Sequence, residues 1–395
     1  GVDLLRDSTW WRAYPLALIH HTLPRKHWTN TTTFMMFGDT DGHHWYGPDA
    51  VCRVLAAAFD DSRAQWLAEA LDESEVCATP QERILTLGVI DPDVPVTPPN
   101  DLPPFAHFTD HDIVIGRSDW SDDGSVYGFC CGPSMGHKGV RNYRNPVAGG
   151  HMHAFAGTFQ IFSHGQFVIC PAGYTAKWTR YHNTLLVDGE GQIGETNAWF
   201  EDLEFRRGHP TPRMLHAEHG GVYDYLVGDA GKAYPDALGV RRFNRHLLYV
   251  RPDAWVIVDD IELQRPATLS LLFHTGFALS AGETNTFTGS GERASLAMRT
   301  LAPGDIAHRA EVQAMLYTTD GRHTHDLDLL TLETKAPQQR AVFVTLLMVG
   351  DAGAPADVSD ARAAVTDQTV AVTLPRAAGG GRYDIALTGG IQQTR

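Results

Sequence analysis

Residues 149–192 constrain the fold more than any other part of the chain. A pair of histidines at H-x-H spacing, His151 and His153, leads into an apolar alternation. A His164-Gly165 turn follows, then a second alternation that ends at Cys170, and a third apolar run that starts at His182-Asn183-Thr184. Alternation at period two marks strands with one buried face. A two-residue turn ending in Gly joins such strands as a hairpin. The pattern therefore predicts consecutive antiparallel strands, with 160–163 and 167–170 as the arms of one hairpin. On a strand the side chains at i and i+2 point the same way, so His151 and His153 are expected on one face. Three imidazoles and the Cys170 thiol could then converge across neighbouring strands.

The flanking sequence divides the chain of 395 residues into four parts. Residues 1–90 have helical spacing. Trp10 and Trp11 open an apolar stretch that stops near Pro24, Pro48 starts a helix at a first-turn position, and Trp66, Leu67 and Leu71 carry a further one. A loop between them, Phe37-Gly-Asp-Thr-Asp-Gly-His-His-Trp-Tyr46, is rich in glycine, carboxylates and polar aromatic groups. Residues 91–104 form a Pro-rich linker, which favours an extended connection over a helix. From Phe105 onward short alternating segments predict β structure, assigned as a central sandwich over 105–300 and a C-terminal sheet region over 301–395 that includes a Gly-rich hairpin at 377–382. The expected class is mainly β, a large multi-sheet antiparallel sandwich behind a helical segment. So few helices cannot bury both their faces alone. With Trp10, Trp11, Phe34 and Phe37 they are expected to pack on a further helical segment, upstream in the same polypeptide or on a separate one. The opening Gly1-Val2-Asp3 carries no leader pattern and reads as the continuation of a longer chain.

Composition narrows the partners. Hydrophobic residues make up 43% and charged residues 20%, with no run long enough to span a membrane as a helix. The formal net charge of −15 argues against nucleic acid, which calls for a basic stripe. An acidic polymer can still bind an acidic protein through a locally basic cleft, and Lys138, Arg141, Arg144, Lys177 and Arg180 cluster around the histidines. Taken singly they are equally well read as solvated loop charges. The five cysteines form no disulfide framework. Cys130 and Cys131 are adjacent on a strand and face opposite ways, which leaves Cys52 with Cys77 as the one pair to consider.

These stretches also resemble a family, the heparinase II/III-like polysaccharide lyases. The shared features are the H-x-H segment, the strand after it, and His182-Asn-Thr-Leu-Leu-Val-Asp-Gly-Glu-Gly-Gln192, with Ile115-Gly-Arg-Ser-Asp-Trp120 upstream. Downstream they include residues 224–234, 241–251 and 256–261. The resemblance covers about 105–275 and implies the end of an (α/α) toroid followed by the sandwich. It also implies an enzyme that cleaves uronate-containing polysaccharide, such as alginate or a glycosaminoglycan, by β-elimination. Such a reaction needs the carboxylate charge of the uronate neutralised, a base for the adjacent proton and an acid for the leaving oxygen.

By motif position the resemblance makes His151 the catalytic histidine and Tyr174 the active-site tyrosine, with Tyr181 in reserve. Arg141, Arg144, Lys177 and Arg180, with His43, His44 and Tyr46 at the rim, would bind substrate. It further implies a structural zinc held by His153, His182 and an aspartate, with no organic cofactor. That aspartate is absent, and Cys170 or Pro171 aligns with it. A set of His153, Cys170 and His182 could bind zinc. The aspartate expected two residues after His153 is also replaced, by Phe155. Secretion or a periplasmic location, and a homo-oligomer, are compatible with such an enzyme.

Each residue has a plainer reading. Histidines in sheets are commonly hydrogen-bonded structural groups, and buried tyrosines commonly bond a backbone carbonyl. His323-Thr-His325 reads as a surface loop, Asp188 as turn chemistry, and Asp259-Asp260 as the cap of a strand. The competing functional class is a non-catalytic carbohydrate-binding or structural module of the same fold. A glycoside hydrolase would need paired carboxylates across a cleft, and no pair has that context.

Overall fold

The structure, a computed structural model, describes residues 3–29, 32–39, 48–74, 84, 86–142, 151–174, 177–195, 210–316 and 323–394. Three helices come first. In α1 (Thr9–His21) the Ser8 hydroxyl accepts from the Trp10 N–H, and in α3 (Ser62–Glu73) the Asp61 carboxylate accepts from Arg63 and Ala64. Such side chains supply partners for N–H groups that a helix leaves unpaired at its start. Helix α2 (Pro48–Phe59) begins on Pro48, which has no N–H to leave unpaired. None of the described helices is long and apolar enough to cross a membrane.

The strands form three antiparallel sheets. The first runs in the order β1 (Phe105–Phe108), β2 (Ile113–Arg117), β3 (Val126–Cys130), β4 (Thr158–Ser163), β5 (Gln166–Ile169). It continues through β11 (Leu269–Thr275), β16 (His323–Thr334) and β15 (Ile306–Leu316), with β6 (Leu185–Val187) paired to β11. The second comprises β12 (Ser280–Ala281), β13 (Thr286–Ser290), β14 (Ala294–Ala302), β17 (Gln338–Asp351), β10 (Ala254–Ala267), β9 (Val240–Val250), β8 (Tyr223–Asp229) and β7 (Arg213–His219). A small third sheet joins β18 (Arg362–Val365), β19 (Thr369–Thr373), β20 (Arg382–Ala386) and β21 (Ile391–Thr394). The expected boundary at residue 300 is not where the molecule divides. Residues 306–351 complete the two large sheets, and a separate sheet starts only at Arg362.

Three cores hold these layers together. Phe159, Phe243, Leu247, Trp255, Phe273 and Phe343 fill the space between the first two sheets, each aromatic contributing roughly 2–3 kcal/mol by leaving water. Val256, Val258, Val344, Val370 and Ile385 join the second sheet to the third. On the far side Ile19, Leu23, Cys52, Leu67 and Leu71 pack on Ile115, Val126 and Phe162 of the first sheet. The helices thus cover a sheet face. Phe34 is buried there and Phe37 packs against it, so these two aromatics are covered by the chain itself, contrary to the expectation. Trp10 remains 57% exposed. Cys52, Cys130, Cys131 and Cys170 are free thiols, and Cys77 lies outside the described residues.

The hairpin of β4 and β5 is present, with His164 (φ 51°) and Gly165 (φ 84°) as its turn. The segment before it differs from the expectation. Residues 151–155 have no regular secondary structure and 156–157 form a turn, so the segment belongs to no ladder. The chain there is held by single bonds: Ala154 N–H to the Lys177 carbonyl (3.2 Å), Gly157 N–H to Cys130 (2.8 Å), and the Ser134 hydroxyl to the His153 carbonyl (2.8 Å). Asp259 and Asp260 sit inside β10 rather than capping it, and pair with Arg245 and Arg242.

Candidate functional site

The segment that leaves the helices, residues 35–39, lies along the first sheet and reaches the two histidines. Its path is fixed by β4 and β3. The Gln160 amide donates to the Met36 carbonyl, while its oxygen accepts from the Met36 N–H at 3.3 Å. Phe37 packs on Gly128, where a Cβ would meet the ring at 2.7 Å. Gly38 adopts φ 72°, and Asp39 then donates its N–H to the His151 carbonyl at 3.4 Å.

Asp39 is the centre of the site. Its Oδ1 lies 2.6 Å from Nε2 of His153, and its Oδ2 lies 3.2 Å from both Nδ1 of His151 and Nζ of Lys177. The carboxylate and the His153 and Lys177 side chains are all less than one-tenth exposed, whereas the His151 side chain is 61% exposed. The network is thus a buried ion pair with one imidazole inside and one at the surface. Burial lowers the pKa of His153, against the opposing pull of its Asp39 bond, and this favours a neutral ring. His182 faces His153 with ring centroids 5.1 Å apart, and Phe155 lies against both rings. With Phe37, Gln160 and Pro171 these residues line a small cleft.

The buried Asn183, Thr184 and Gln192 side chains of the third motif bond the backbone around the segments that line this cleft. Asn183 donates to the Phe159 and Cys170 carbonyls at 2.9 and 2.8 Å and accepts from the His274 N–H at 2.7 Å. Gln192 brackets Ala156, donating to its carbonyl and accepting from its N–H, both at 2.8 Å, and the Thr184 hydroxyl donates to the same carbonyl. Buried backbone without a ladder needs such partners. The motif therefore secures the irregular segment that carries His151 and His153.

The expected zinc set is not assembled. Among the described residues no three His, Cys, Asp or Glu side chains converge to hold a metal ion. Cys170 ends the hairpin beside Gly276, and its thiol is pushed up to about 12 by burial, with the Asp328 charge acting in the same direction. Asp39, from the far end of the chain, approaches His153 and His151 instead.

The other expected residues divide. Tyr174 is half-buried on the turn after Gly173, which lines the cleft. Tyr181 is 2% exposed and packs with Ala172 and Met315, so burial removes it as the reserve catalytic group. Lys177, expected as a free cation for substrate, is engaged by Asp39. Arg180 is exposed over the Trp178 ring (4.8 Å), and Arg141 is exposed at the end of α4 (Gly136–Asn142). Arg144, His43, His44 and Tyr46 lie outside the described residues.

Two residues were missed from sequence. Asp39 stands in the Gly/Asp loop noted above, and that composition was its only signal. His325 belongs to strand β16 rather than a surface loop, and its ring would lie 3.2 Å from a Cβ at Gly173.

Comparison with known proteins agrees with this architecture. Residues 140–335 match the family model described as heparinase II/III-like, C-terminal. A heparinase III crystal structure superposes with a TM-score of 0.64 at 14% identity, covering 100% of this chain and 55% of that one. A heparan sulfate lyase from Pedobacter heparinus gives 0.61 at 15%, over 96% of this chain and 51% of that one. The chondroitin AC lyase of Streptomyces coelicolor A3, solved with chondroitin sulphate, gives 0.54 at 14%, over 93% and 50%. The chain thus spans about half the length of these structures, and at such identities the likeness is one of fold. Over residues 140–335 the chain thus carries a heparinase II/III-like C-terminal domain.

Proposed function

We propose that the protein is a polysaccharide lyase that cleaves a uronate-containing polymer by β-elimination, with His151 and Tyr174 contributed by this chain. The observation that carries the reading is the exposed imidazole of His151, held beside a buried carboxylate in a heparinase-like sandwich. His151 would take the proton next to the uronate carboxylate, and the Tyr174 hydroxyl would protonate the glycosidic oxygen as its bond to carbon breaks. The electron pair left by the proton becomes the new double bond. Arg180 and Arg141, both exposed, are suited to meet the carboxylate charge. The named substrates of the structural relatives, heparan sulfate and chondroitin sulphate, belong to this chemical class.

The cleft would be completed by a helical segment, upstream in the same polypeptide or on a separate one, such as the toroid of these lyases. Leu4, Trp10, Leu16, Ile84 and Leu87 present apolar surface for it on the helical side. Work on an extracellular polymer would place the protein outside the cell or in the periplasm.

The new double bond is conjugated to the carboxylate and absorbs in the ultraviolet. The full-length protein should produce this absorbance on at least one of alginate, heparan sulfate, chondroitin and hyaluronan. His151→Ala and Tyr174→Phe should each reduce it by roughly 100-fold or more. Phe155 in place of a carboxylate favours a second reading, a carbohydrate-binding module without catalysis. Binding of one polymer with neither absorbance nor chain shortening would establish that alternative.

A further inference from the structure

We propose that Asp39 is a positioning residue: it fixes the imidazole of His151, and Lys177 is its built-in counter-cation. The inference rests on the lyase reading above for its kinetic consequence but not for its geometry. Asp39 lies more than a hundred residues from the histidines in sequence, on the segment leaving the helices, and still brings both carboxylate oxygens to them. Oδ1 is 2.6 Å from His153 and Oδ2 is 3.2 Å from both His151 and Lys177.

The arrangement has a chemical consequence for each ring nitrogen. A carboxylate beside Nδ1 of His151 favours the tautomer with hydrogen on that nitrogen, and the other nitrogen is then left with its lone pair. A histidine that is to accept a proton from substrate at Nε2 needs this form. His153 has the opposite arrangement. Its Nε2 faces Oδ1, and its Nδ1 is buried without a hydrogen-bond partner. With hydrogen on Nε2 it donates to Oδ1 and steadies Asp39 from the other side. Lys177 pairs with the carboxylate from within the protein, 3.2 Å from Oδ2. The cleft behind the pair is closed by Phe155, an apolar side chain that supplies no ligand.

The inference is tested with three variants of the full-length protein: Asp39→Asn, Asp39→Glu, and the charge-balanced double variant Asp39→Asn/Lys177→Met. If Asp39 positions His151, Asp39→Asn should lower kcat by roughly 100-fold with KM little changed. Asp39→Glu should recover part of that loss. The double variant should melt closer to wild type than the single one and remain slow, because charge balance returns but the tautomer control does not. Nitrogen NMR of the labelled imidazoles should find His151 protonated at Nδ1 in the wild type and a mixture of tautomers in Asp39→Asn. Wild-type kcat in the double variant would reduce Asp39 to charge balance and overturn the inference, as would an unchanged His151 tautomer. Should no acidic polymer be cleaved at all, the lyase reading fails and the tautomer measurement alone decides this one.

Discussion

Arg245 is fully buried, and so is its partner Asp259, with Nε 2.6 Å from Oδ1 and a second bond at 3.1 Å. Its remaining nitrogen donates to the Gly157 carbonyl at 2.7 Å and to the Asn183 carbonyl. One guanidinium on the second sheet therefore holds the end of the irregular segment that carries the histidines and the Asn183 backbone just before β6. Burial raises the pKa of Asp259 above the usual carboxylate range, and Arg245 opposes that rise. Arg245→Met should cost about 3–5 kcal/mol, because it leaves a buried carboxylate and two buried carbonyls without partners. Arg245→Met/Asp259→Leu should regain only part, since the carbonyls stay unpaired. Urea unfolding measures both, and a loss below about 1 kcal/mol for the single variant would refute this account. The sequence placed Arg245 in an R-x-F-x-R strand, but nothing in a strand pattern shows which sheet its side chain crosses to.

Elements set by local chemistry were legible and elements set by distant contacts were not. The β4–β5 hairpin is a local object: alternation fixes its faces, and His164-Gly165 fits a turn that needs two positive φ angles. The start of α2 at Pro48 is local in the same sense. By contrast, residues 151–157 alternate like a strand without joining one, because the partners of their backbone are side chains such as Gln192 and Thr184. Asp39 was invisible for a related reason, since no period links it to residues far along the chain. The hairpin turn also touches the helical side. A Cβ on Gly165 would lie 2.6 Å from the His27 ring, which packs on Phe162 at 5.9 Å. Gly165→Ala should therefore lose more than backbone strain. Gly189, also at positive φ, has open space around its Cβ position and supplies the comparison. Gly189→Ala should lose roughly 1 kcal/mol, and Gly165→Ala clearly more. Equal losses would mean that His27 moves aside without cost.

Across the whole molecule, three buried imidazoles connect stability to pH. His20 lies in the last turn of α1, His246 in β9 and His274 in β11, so the helical layer and both large sheets each carry one. Burial lowers each to about 4, helped at His20 by the charges of Arg117 and His21 and opposed at His274 by its Gln313 bond. The unfolded chain takes up these protons near pH 6.5 and the folded protein only near 4. Between those limits the unfolded state binds more protons, so stability must fall as pH falls. For each histidine, every tenfold loss of proton affinity on folding corresponds to roughly 1.4 kcal/mol. His164 acts in the opposite sense. The carboxylates of Asp253, 3.6 Å from Nε2, and Asp351, hydrogen-bonded to Nδ1 at 2.9 Å, raise its pKa, so its contribution is fully present below 6.5 and lost as pH rises through the higher folded value. The three lowered groups, joined by His21 and His153, which burial also lowers, outweigh one raised group that is partly exposed and screened by water. The urea midpoint should therefore decline steadily from about pH 7 to about pH 4.5 with little change in slope, as expected when all three layers unfold together. A flat midpoint over that range would mean that the folded protein already admits protons to these rings. A decline in two separate transitions would instead mean that the helical layer, with His20, opens before the sheets.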